Sequence, residues 1–200
     1  MSNISHCVLV QGPSCYVSEV KKAYDGACDL IFSIWNGEEV FYDKSDTIIS
    51  SQKPECPGVG NLFNHYTSTI NGLRFVKKLG YERVIKMRSD MTPTNPRKFF
   101  SLFDKDLNLF YWHNHDGGYI VDYFMGGKID LVIDLWSIDL FRDYRFSEQA
   151  ITHSFFSKGL NSKDYQYIGR GINAENDIRW LKYNKTLAHY SNDPLYVTKL

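Results

Sequence analysis

The sequence predicts an α/β fold with a parallel sheet, and two observations carry that prediction. Strand-like apolar runs alternate with helix-like segments as far as residue 90, which is the βαβ rhythm of a parallel sheet. In addition, a short apolar strand ends at Asp90 and is followed at once by chain-breaking residues that include Pro93 and Pro96. Asp90 is therefore expected at the carboxyl edge of a strand, where open α/β sheets bind their ligands.

The elements before Asp90 follow in order. Strands are predicted at residues 7–10, 29–35 and 47–50, with a helix at 17–27, a loop over 51–60 and a long helix from Asn61 to a stop at Gly80. The loop after the first strand lacks both G-x-G-x-x-G and G-x-x-x-x-G-K-[ST], which disfavours a Rossmann dehydrogenase and a P-loop kinase. Backbone groups of this loop are instead expected to lie against a base or a sugar.

The long helix carries two stripes. An apolar stripe is predicted to be buried and consists of Leu62, Tyr66, Ile70, Leu73 and Val76. A polar stripe consists of Asn61, Asn64, Ser68 and Asn71. Since Asn and Ser support helices less well than Lys, Glu and Gln, this face is either an ordinary solvated surface or one kept for a polar ligand. Gly72 is expected to let the helix approach a neighbour closely.

Beyond Asp90 the pattern predicts further helices and strands. Helices are predicted at 96–103, 129–136, 147–158 and 173–183, and strands at 107–112 and 119–124. A polar turn over 113–118 joins these two strands, and Gly126 with Gly127 is expected to break the chain before the helix at 129. Asp122 lies in an apolar strand, where an ionised group is costly to bury unless it is paired or functional. The alternative for Asp122 is a solvent-facing strand residue.

Composition excludes several classes of protein. The chain has 200 residues with 23 basic and 23 acidic side chains, so it lacks the global field that attracts nucleic acid or an anionic membrane. Its four cysteines form no C-x-x-C pair, and it has neither a signal-like N-terminus nor an apolar run of membrane-spanning length. These features predict a cytoplasmic protein without a transmembrane segment. The aromatic content of 16% is compatible with sugar-binding faces or with core packing.

The sequence resembles a known enzyme family in four segments. They are Val10-Gln11-Gly12-Pro13, then Ser33-Ile34-Trp35, then Asn64, Ser68, Thr69, Gly72 and Leu73 on the long helix, and then Ile85-Lys86-Met87-Arg88-Ser89-Asp90. This order is similar to that of WavE-type lipopolysaccharide-synthesis glycosyltransferases. Over residues 6–180 the chain also resembles the N-terminal GT-A domain of a glycosyltransferase that chlorella viruses encode for capsid glycan synthesis.

The resemblance implies a GT-A (nucleotide-diphospho-sugar transferase) fold with a mixed, mostly parallel sheet flanked by helices. It implies one domain over residues 1–200, in which 1–91 bind a nucleotide-sugar and 92–200 shape the acceptor site. The end of the chain, with no evident closing element, is compatible with the N-terminal part of a longer protein. In the family pattern Gln11, Gly12 and Pro13 lie near the nucleotide base, and the triplet that ends at Asp90 takes the place of the D-x-D motif.

The donor implied by the resemblance is a nucleotide-sugar, with a UDP-sugar favoured, and the acceptor is a glycan. A sugar diphosphate leaves with negative charge on its β-phosphate, which a divalent ion neutralises as a Lewis acid. Arg88 replaces the first acid of the motif, so Asp90 is its single carboxylate and the predicted ligand for manganese or magnesium. The other predicted substrate-binding side chains are Asn64, Ser68, Lys86, Arg88 and Ser89. An ion pair of Lys86 or Arg88 with Asp90 is the structural alternative.

An inverting transfer needs a general base for the acceptor hydroxyl. The candidates, in order of preference, are Asp122, Asp116 and Glu148. Asp122 could instead hold sugar hydroxyls, and retention of configuration stays open. His113 and His115 alternate beside Asp116, as in a hydrolase metal site, but no further ligand follows at a recognisable spacing, so a turn or acceptor-pocket role is favoured. His189 is compatible with a metal ligand or with a surface position, which is favoured.

Three functions from different classes are compatible with these features. The favoured one is a metal-assisted glycosyltransferase, because the polar helix face, the loop at Gly12 and the strand end at Asp90 occur together. The second is a metal-dependent hydrolase of nucleotide-sugars or phosphoesters, which uses water as its sole acceptor. The third is a noncatalytic carbohydrate-binding module, which binds no nucleotide.

Overall fold

The computed structural model describes residues 6–114, 117–167 and 178–180. The strands are β1 (His6–Gln11), β2 (Asp29–Trp35), β3 (Thr47–Ser51), β4 (Arg83–Arg88), β5 (Met91–Pro93), β6 (Leu107–Asn114), β7 (Gly117–Lys128), β8 (Tyr165–Tyr167) and β9 (Ile178–Trp180). The α-helices are α1 (Val17–Tyr24), α2 (Leu62–Lys78), α3 (Pro96–Phe100), α4 (Ile129–Trp136) and α5 (Ser147–Ser157).

Seven of the described strands form one mixed sheet, in the order β3-β2-β1-β4-β7-β6-β8, and β5 pairs with β9 in a separate two-stranded sheet. Strands β3, β2, β1 and β4 run parallel to one another. Strand β7 runs antiparallel to both neighbours, β4 and β6, whereas β8 is parallel to β6. This is the mixed, mostly parallel sheet that the sequence resemblance implied.

The central strands are apolar on both faces because helices cover both faces of the sheet. Along β1, Val8 and Val10 pack with residues of α1 and α3, whereas Leu9 packs on the opposite face with residues of α2, α4 and α5. All three side chains are buried. A strand with one wet face would alternate apolar and polar residues, so the unbroken apolar runs of β1 and β4 follow from this two-sided burial.

Helix α2 packs closely on the sheet. Its apolar stripe is buried as predicted, with Tyr66 partly buried, and a Cβ atom at Gly72 would lie 2.7 Å from Leu9 Cδ1 and 3.1 Å from Ser33 Cβ. The predicted close approach at Gly72 is thereby confirmed. In the polar stripe, Ser68 is 2% exposed and Asn64 8% exposed, so this part of the stripe is not an ordinary solvated face.

Most predicted elements agree with the structure within a few residues at their ends, but the prediction of a chain break at Gly126 and Gly127 was wrong. Both lie inside β7, which continues to Lys128. A Cβ atom at Gly126 would lie 2.6 Å from the Val84 carbonyl oxygen. Glycine therefore serves here to let β7 approach β4 closely rather than to end the strand. The predicted polar turn is also shorter, because β6 reaches Asn114 and β7 begins at Gly117.

The predicted helix over 173–183 was wrong for the residues that can be compared. Ile178–Trp180 forms β9 and pairs antiparallel with Met91–Pro93 of β5. Spacing of apolar residues favoured a helix, but pairing with a strand distant in the sequence decided the conformation, since tertiary context overrides local preference.

Some predicted residues lie outside the described part of the chain. They are His115, Asp116 and His189. Within the described ranges, no helix combines the length and the apolar character needed to cross a lipid bilayer.

Gly72→Ala is expected to lower the free energy of unfolding by about 1–3 kcal/mol, because an added methyl group overpacks the buried side chain of Leu9. Urea denaturation measures the change. Arg74→Ala, an exposed substitution in the same helix, serves as the control and should change stability little. A Gly72→Ala chain more stable than wild type would show that α2 does not need glycine at this contact.

Candidate functional site

A cleft of about 350 Å³ opens at the carboxyl edge of the parallel strands. The ends of β1, β2 and β4 contribute Gln11, Trp35 and Arg88, and the first turn of α2 contributes Asn64 and His65. The described residues that line the cleft are Gln11, Gly12, Pro13, Tyr16, Trp35, Glu38, Lys53, Asn61, Asn64, His65, Arg88 and Asp90. The sheet edge that the sequence singled out therefore carries a cleft, as the strand-end rule for α/β sheets predicts.

Helix α2 directs its N-terminus at this cleft. Asn61 precedes the helix, and its Oδ1 accepts a hydrogen bond at 2.6 Å from Nδ2 of Asn64. The first N–H groups of a helix have no partner within the helix, and the aligned peptide dipoles place positive charge at this end. The described lining carries two cations, Lys53 and Arg88, and two acids, Glu38 and Asp90. The helix N-terminus adds a positive partial charge, which favours an anion such as phosphate near it.

The loop after β1 is tied to the end of β4 beneath the cleft. Ser89 N donates a hydrogen bond to the Gln11 carbonyl oxygen at 2.8 Å, and Ser89 Oγ donates one to the Pro13 carbonyl oxygen at 3.0 Å. Gly12 has φ of +133°, and a Cβ atom there would lie 2.6 Å from Ser89 Oγ. The close approach of the two segments thus requires glycine at position 12, and Ser89 supports the loop from below.

Arg88 and Asp90 form a bidentate ion pair on the cleft lining. Arg88 Nε donates to Asp90 Oδ1 at 3.0 Å, and Arg88 Nη2 donates to Asp90 Oδ2 at 2.8 Å. The guanidinium also lies 5.4 Å from the ring centroid of Tyr123. Burial by itself lowers the pKa of Arg88, but the charges of Asp122 and Asp90 outweigh burial and raise the pKa above its ordinary value. Arg88 therefore remains a cation between two acids.

Asp90 is the predicted ligand for a divalent ion. The contacts of its carboxylate oxygens show which lone pairs an ion could use. Among the described residues there is no group of three or more His, Cys, Asp and Glu side chains able to hold a metal ion. Each Asp90 oxygen accepts one hydrogen bond from Arg88 and keeps a second lone pair, since a carboxylate oxygen has two. These lone pairs are of the kind that a hard cation accepts alongside phosphate and water oxygens, and Asp90 as a metal ligand stays a prediction.

Asp122 is a fully buried carboxylate within β7. Its Oδ2 lies 2.8 Å from His65 Nδ1 and accepts a hydrogen bond from Ser147 Oγ at 3.4 Å, while Oδ1 lies 3.7 Å from Arg88 Nη1. Burial by itself raises the pKa of this carboxyl, but Lys86, His65 and Arg88 together outweigh burial and hold the pKa below its ordinary value. Asp122 is therefore an ionised group behind the cleft lining.

Lys86 and Ser68 lie beneath the cleft rather than on its lining. Lys86 is fully buried, donates a hydrogen bond to the Asp122 carbonyl oxygen and lies 4.9 Å from the ring centroid of Trp136. Burial lowers the pKa of Lys86 to about 8, against the opposing charge of Asp122. Ser68 Oγ donates to the Asn64 carbonyl oxygen at 2.9 Å. Ser68 thus supports the lining residue Asn64, and Lys86 supports Asp122 behind the lining. Contact of either side chain with a substrate stays a prediction.

The structure thus brings together most of the residues that the sequence proposed for substrate and metal. Those on the lining are Gln11, Gly12, Pro13, Asn64, Arg88 and Asp90. Sequence reasoning missed Tyr16, Trp35, Glu38, Lys53 and His65 as lining residues. Trp35 ends β2 and could have been found by the same strand-end rule as Asp90. His65 falls between the two helical stripes and Lys53 lies in a loop, so neither gave a periodic signal.

No family model matches the chain, and no curated protein matches it in sequence. Solved structures do resemble its fold. A protein named as a nucleotide-diphospho-sugar transferase from Desulfovibrio desulfuricans is 12% identical, with a TM-score of 0.53 over 81% of this chain and 78% of that chain. The chain has a nucleotide-diphospho-sugar transferase fold.

Two further solved structures are similar to this chain at low sequence identity. CMP:2-keto-3-deoxy-manno-octonic acid synthetase complexed with CTP is 8% identical, with a TM-score of 0.50 over 82% of this chain and 88% of that chain. A glycosyltransferase involved in the glycosylation of the major capsid of PBCV-1 is 14% identical, with a TM-score of 0.49 over 82% of this chain and 81% of that chain. The similarity to the Desulfovibrio desulfuricans protein and to the CMP:2-keto-3-deoxy-manno-octonic acid synthetase confirms the predicted GT-A fold. Membership in the WavE-type family stays a prediction.

Gly12→Ala is expected to lower the free energy of unfolding by about 1–3 kcal/mol, since a side chain at this φ is strained and its Cβ meets Ser89 Oγ. Gly26→Ala is the matched control, because Gly26 also has positive φ, at +61°, but no heavy atom within 4 Å of an added Cβ. Urea denaturation of both variants, repeated with Ser89→Ala present, separates strain from collision. Equal losses at Gly12 and Gly26, unaffected by Ser89→Ala, would contradict a tight contact between loop and strand.

Proposed function

We propose that this chain is a glycosyltransferase that moves a sugar from a nucleotide-sugar, with a UDP-sugar as the first candidate, to a hydroxyl group of a glycan. The observation that carries the proposal is the meeting, in a nucleotide-diphospho-sugar transferase fold, of three features in one cleft. They are the Gly12 loop, the N-terminus of α2 and the pair of Arg88 with Asp90.

The chemistry of the lining supports binding of a nucleoside diphosphate. Trp35 and Tyr16 provide flat aromatic surface for a base, whereas Arg88, Lys53 and the α2 N-terminus provide positive charge for phosphates. A volume of about 350 Å³ lies within the usual range for small-molecule sites. The donor is therefore proposed to lie with its base toward the Gly12 loop and its diphosphate toward Arg88.

Release of the nucleoside diphosphate requires neutralisation of its developing charge. Arg88 donates charge-assisted hydrogen bonds to the diphosphate, and Lys53 adds a second positive charge. Asp90 would hold a manganese or magnesium ion together with phosphate and water oxygens, and the bound ion would supply Lewis-acid stabilisation of the leaving group. Because the Arg88 cation lies beside Asp90, the free chain is expected to bind a divalent ion poorly, and the diphosphate to bring the ion in.

Calorimetric titration tests the donor site. UDP is expected to bind about 5–150-fold more tightly with manganese than with EDTA, which is a common range for coupled ligands. Asp90→Asn should remove this gain, since a neutral amide is a weaker ligand for a hard cation. Manganese titrated into the wild-type chain without UDP should show little heat.

The control is Asp130→Asn, which removes an exposed carboxylate that pairs with Lys77 on the protein surface. This variant should match the wild type in every titration. Absence of UDP binding under all conditions would remove the support for a UDP-sugar donor. If manganese leaves the affinity for UDP unchanged, the proposed role of a divalent ion in donor binding is contradicted.

Product analysis distinguishes the proposed sugar transfer from the alternative functions. A glycosyltransferase releases UDP from a UDP-sugar and depends on the added glycan, whereas a hydrolase releases UDP with water alone and ignores added sugars. A nucleotidyltransferase is the second candidate, because the CMP:2-keto-3-deoxy-manno-octonic acid synthetase shares the fold. It would release pyrophosphate from a nucleoside triphosphate and a sugar substrate. A carbohydrate-binding module would turn over none of these.

A further inference from the structure

His65 is a cleft residue whose ring is held by a buried acid. It belongs to the first turn of α2, lines the cleft, and has 19% of its side chain exposed. Its Nδ1 lies 2.8 Å from Asp122 Oδ2 and 3.3 Å from Ser147 Oγ. Because the lone-pair and N–H directions of the two imidazole nitrogens diverge widely, these contacts of Nδ1 leave Nε2 directed away from Asp122, in a side chain that lines the cleft.

The partner of Nδ1 decides which nitrogen of neutral His65 carries the proton. An ionised carboxylate accepts hydrogen bonds and donates none, so Asp122 selects the tautomer with the proton on Nδ1. Nε2 then presents a lone pair. A histidine oriented in this way by a buried carboxylate can take a proton from a bound hydroxyl, and the carboxylate stabilises the imidazolium that results.

Charged groups from three elements surround this pair. Asp122 of β7 and Glu148 of α5 interact with the ring of His65, and Lys86 and Arg88 of β4 interact with Asp122. Asp122 is the group in direct contact with the ring. The cations Lys86 and Arg88 keep Asp122 ionised, so its carboxylate remains an acceptor for a proton on Nδ1 of His65.

We propose that His65 is the general base for the acceptor hydroxyl and that Asp122 is its positioning residue. This inference rests on the proposed function and deepens it. The hydroxyl proton passes to His65 Nε2, the acceptor oxygen bonds to the anomeric carbon, and the bond from that carbon to the β-phosphate oxygen breaks with its electron pair on UDP. His65 then returns the proton to water. One displacement of this kind inverts the anomeric configuration.

The assignment changes the role that the sequence suggested for Asp122. A general base must come within hydrogen-bond reach of the proton that it takes. Asp122 has no exposed surface, whereas the half-buried His65 stands between it and the cleft. The carboxylate thus acts through the imidazole.

Steady-state turnover of a UDP-sugar with a glycan acceptor tests the proposal. His65→Gln is expected to lower kcat by about 10²–10⁴-fold, the usual contribution of a general base, with little change in UDP affinity. His65→Ala should lose as much, and added imidazole should restore part of its rate, which no loss of packing would allow. The matched control His153→Gln alters a histidine of α5 that contacts Tyr144 and Arg142, and should leave kcat unchanged.

Nitrogen-15 NMR of the histidine rings gives a readout that needs no acceptor. The wild-type His65 signal should show a proton on Nδ1 and a lone pair on Nε2, and Asp122→Asn should shift this balance while UDP still binds. Asp122→Asn should also lower kcat more than it changes KM for the acceptor. Proton NMR of the product should show an inverted anomeric centre.

The possible results distinguish a failure of the general-base assignment from a failure of the proposed glycosyltransferase function. A wild-type chain that binds no nucleotide and turns over no sugar nucleotide defeats the proposed function and this inference with it. A chain that transfers sugar equally well after His65→Gln defeats the inference alone. A His65 ring with its proton on Nε2, or a product with retained configuration, also overturns it.

Discussion

The site depends on the burial of one ionised carboxylate, Asp122. A buried charge is stable only where cations and hydrogen-bond donors replace water around it. Here β4 supplies the positive charges of Lys86 and Arg88, α2 supplies His65, and α5 supplies Ser147. Since these partners come from three separate elements, stabilising this one charge constrains how those elements sit against β7, and with them the walls of the cleft.

Arg88 links this buried charge to the cleft. Its planar guanidinium offers several donors in fixed directions, so one side chain can pair with Asp90 on the lining and still lie 3.7 Å from Asp122 behind it. Because one side chain contacts both acids, there is a physical reason for an arginine at this position. The family that this sequence resembles has the first acid of its motif there. A third carboxylate at this position would face two others, with Lys86 as the main compensating cation of β4.

Local sequence patterns predicted the parts of the fold that depend on local periodicity. The apolar runs of β1, β2 and β4 and the apolar stripe of α2 were recognisable because burial imposes a period of two or of three to four residues on each element. The strand-end rule then placed Gln11, Arg88 and Asp90 at one edge. Gly126 and the strand at Ile178–Trp180 were misassigned, because close backbone approach and distant pairing leave no periodic trace.

The amino-acid sequence was enough to establish the α/β class and to place Asp90 at the carboxyl edge of the sheet, and it singled out Asp122 as an acid in an apolar strand. Tertiary structure decided what those acids contact. Asp122 and His65 are far apart in the chain, yet lie 2.8 Å apart once α2 is seated on the sheet at Gly72. Lys86 and Arg88 both belong to β4. Lys86 is nevertheless buried in the core, whereas Arg88 lines the cleft. Contacts of this kind form between different helices and strands. The spacing of residues within one helix or strand does not predict them.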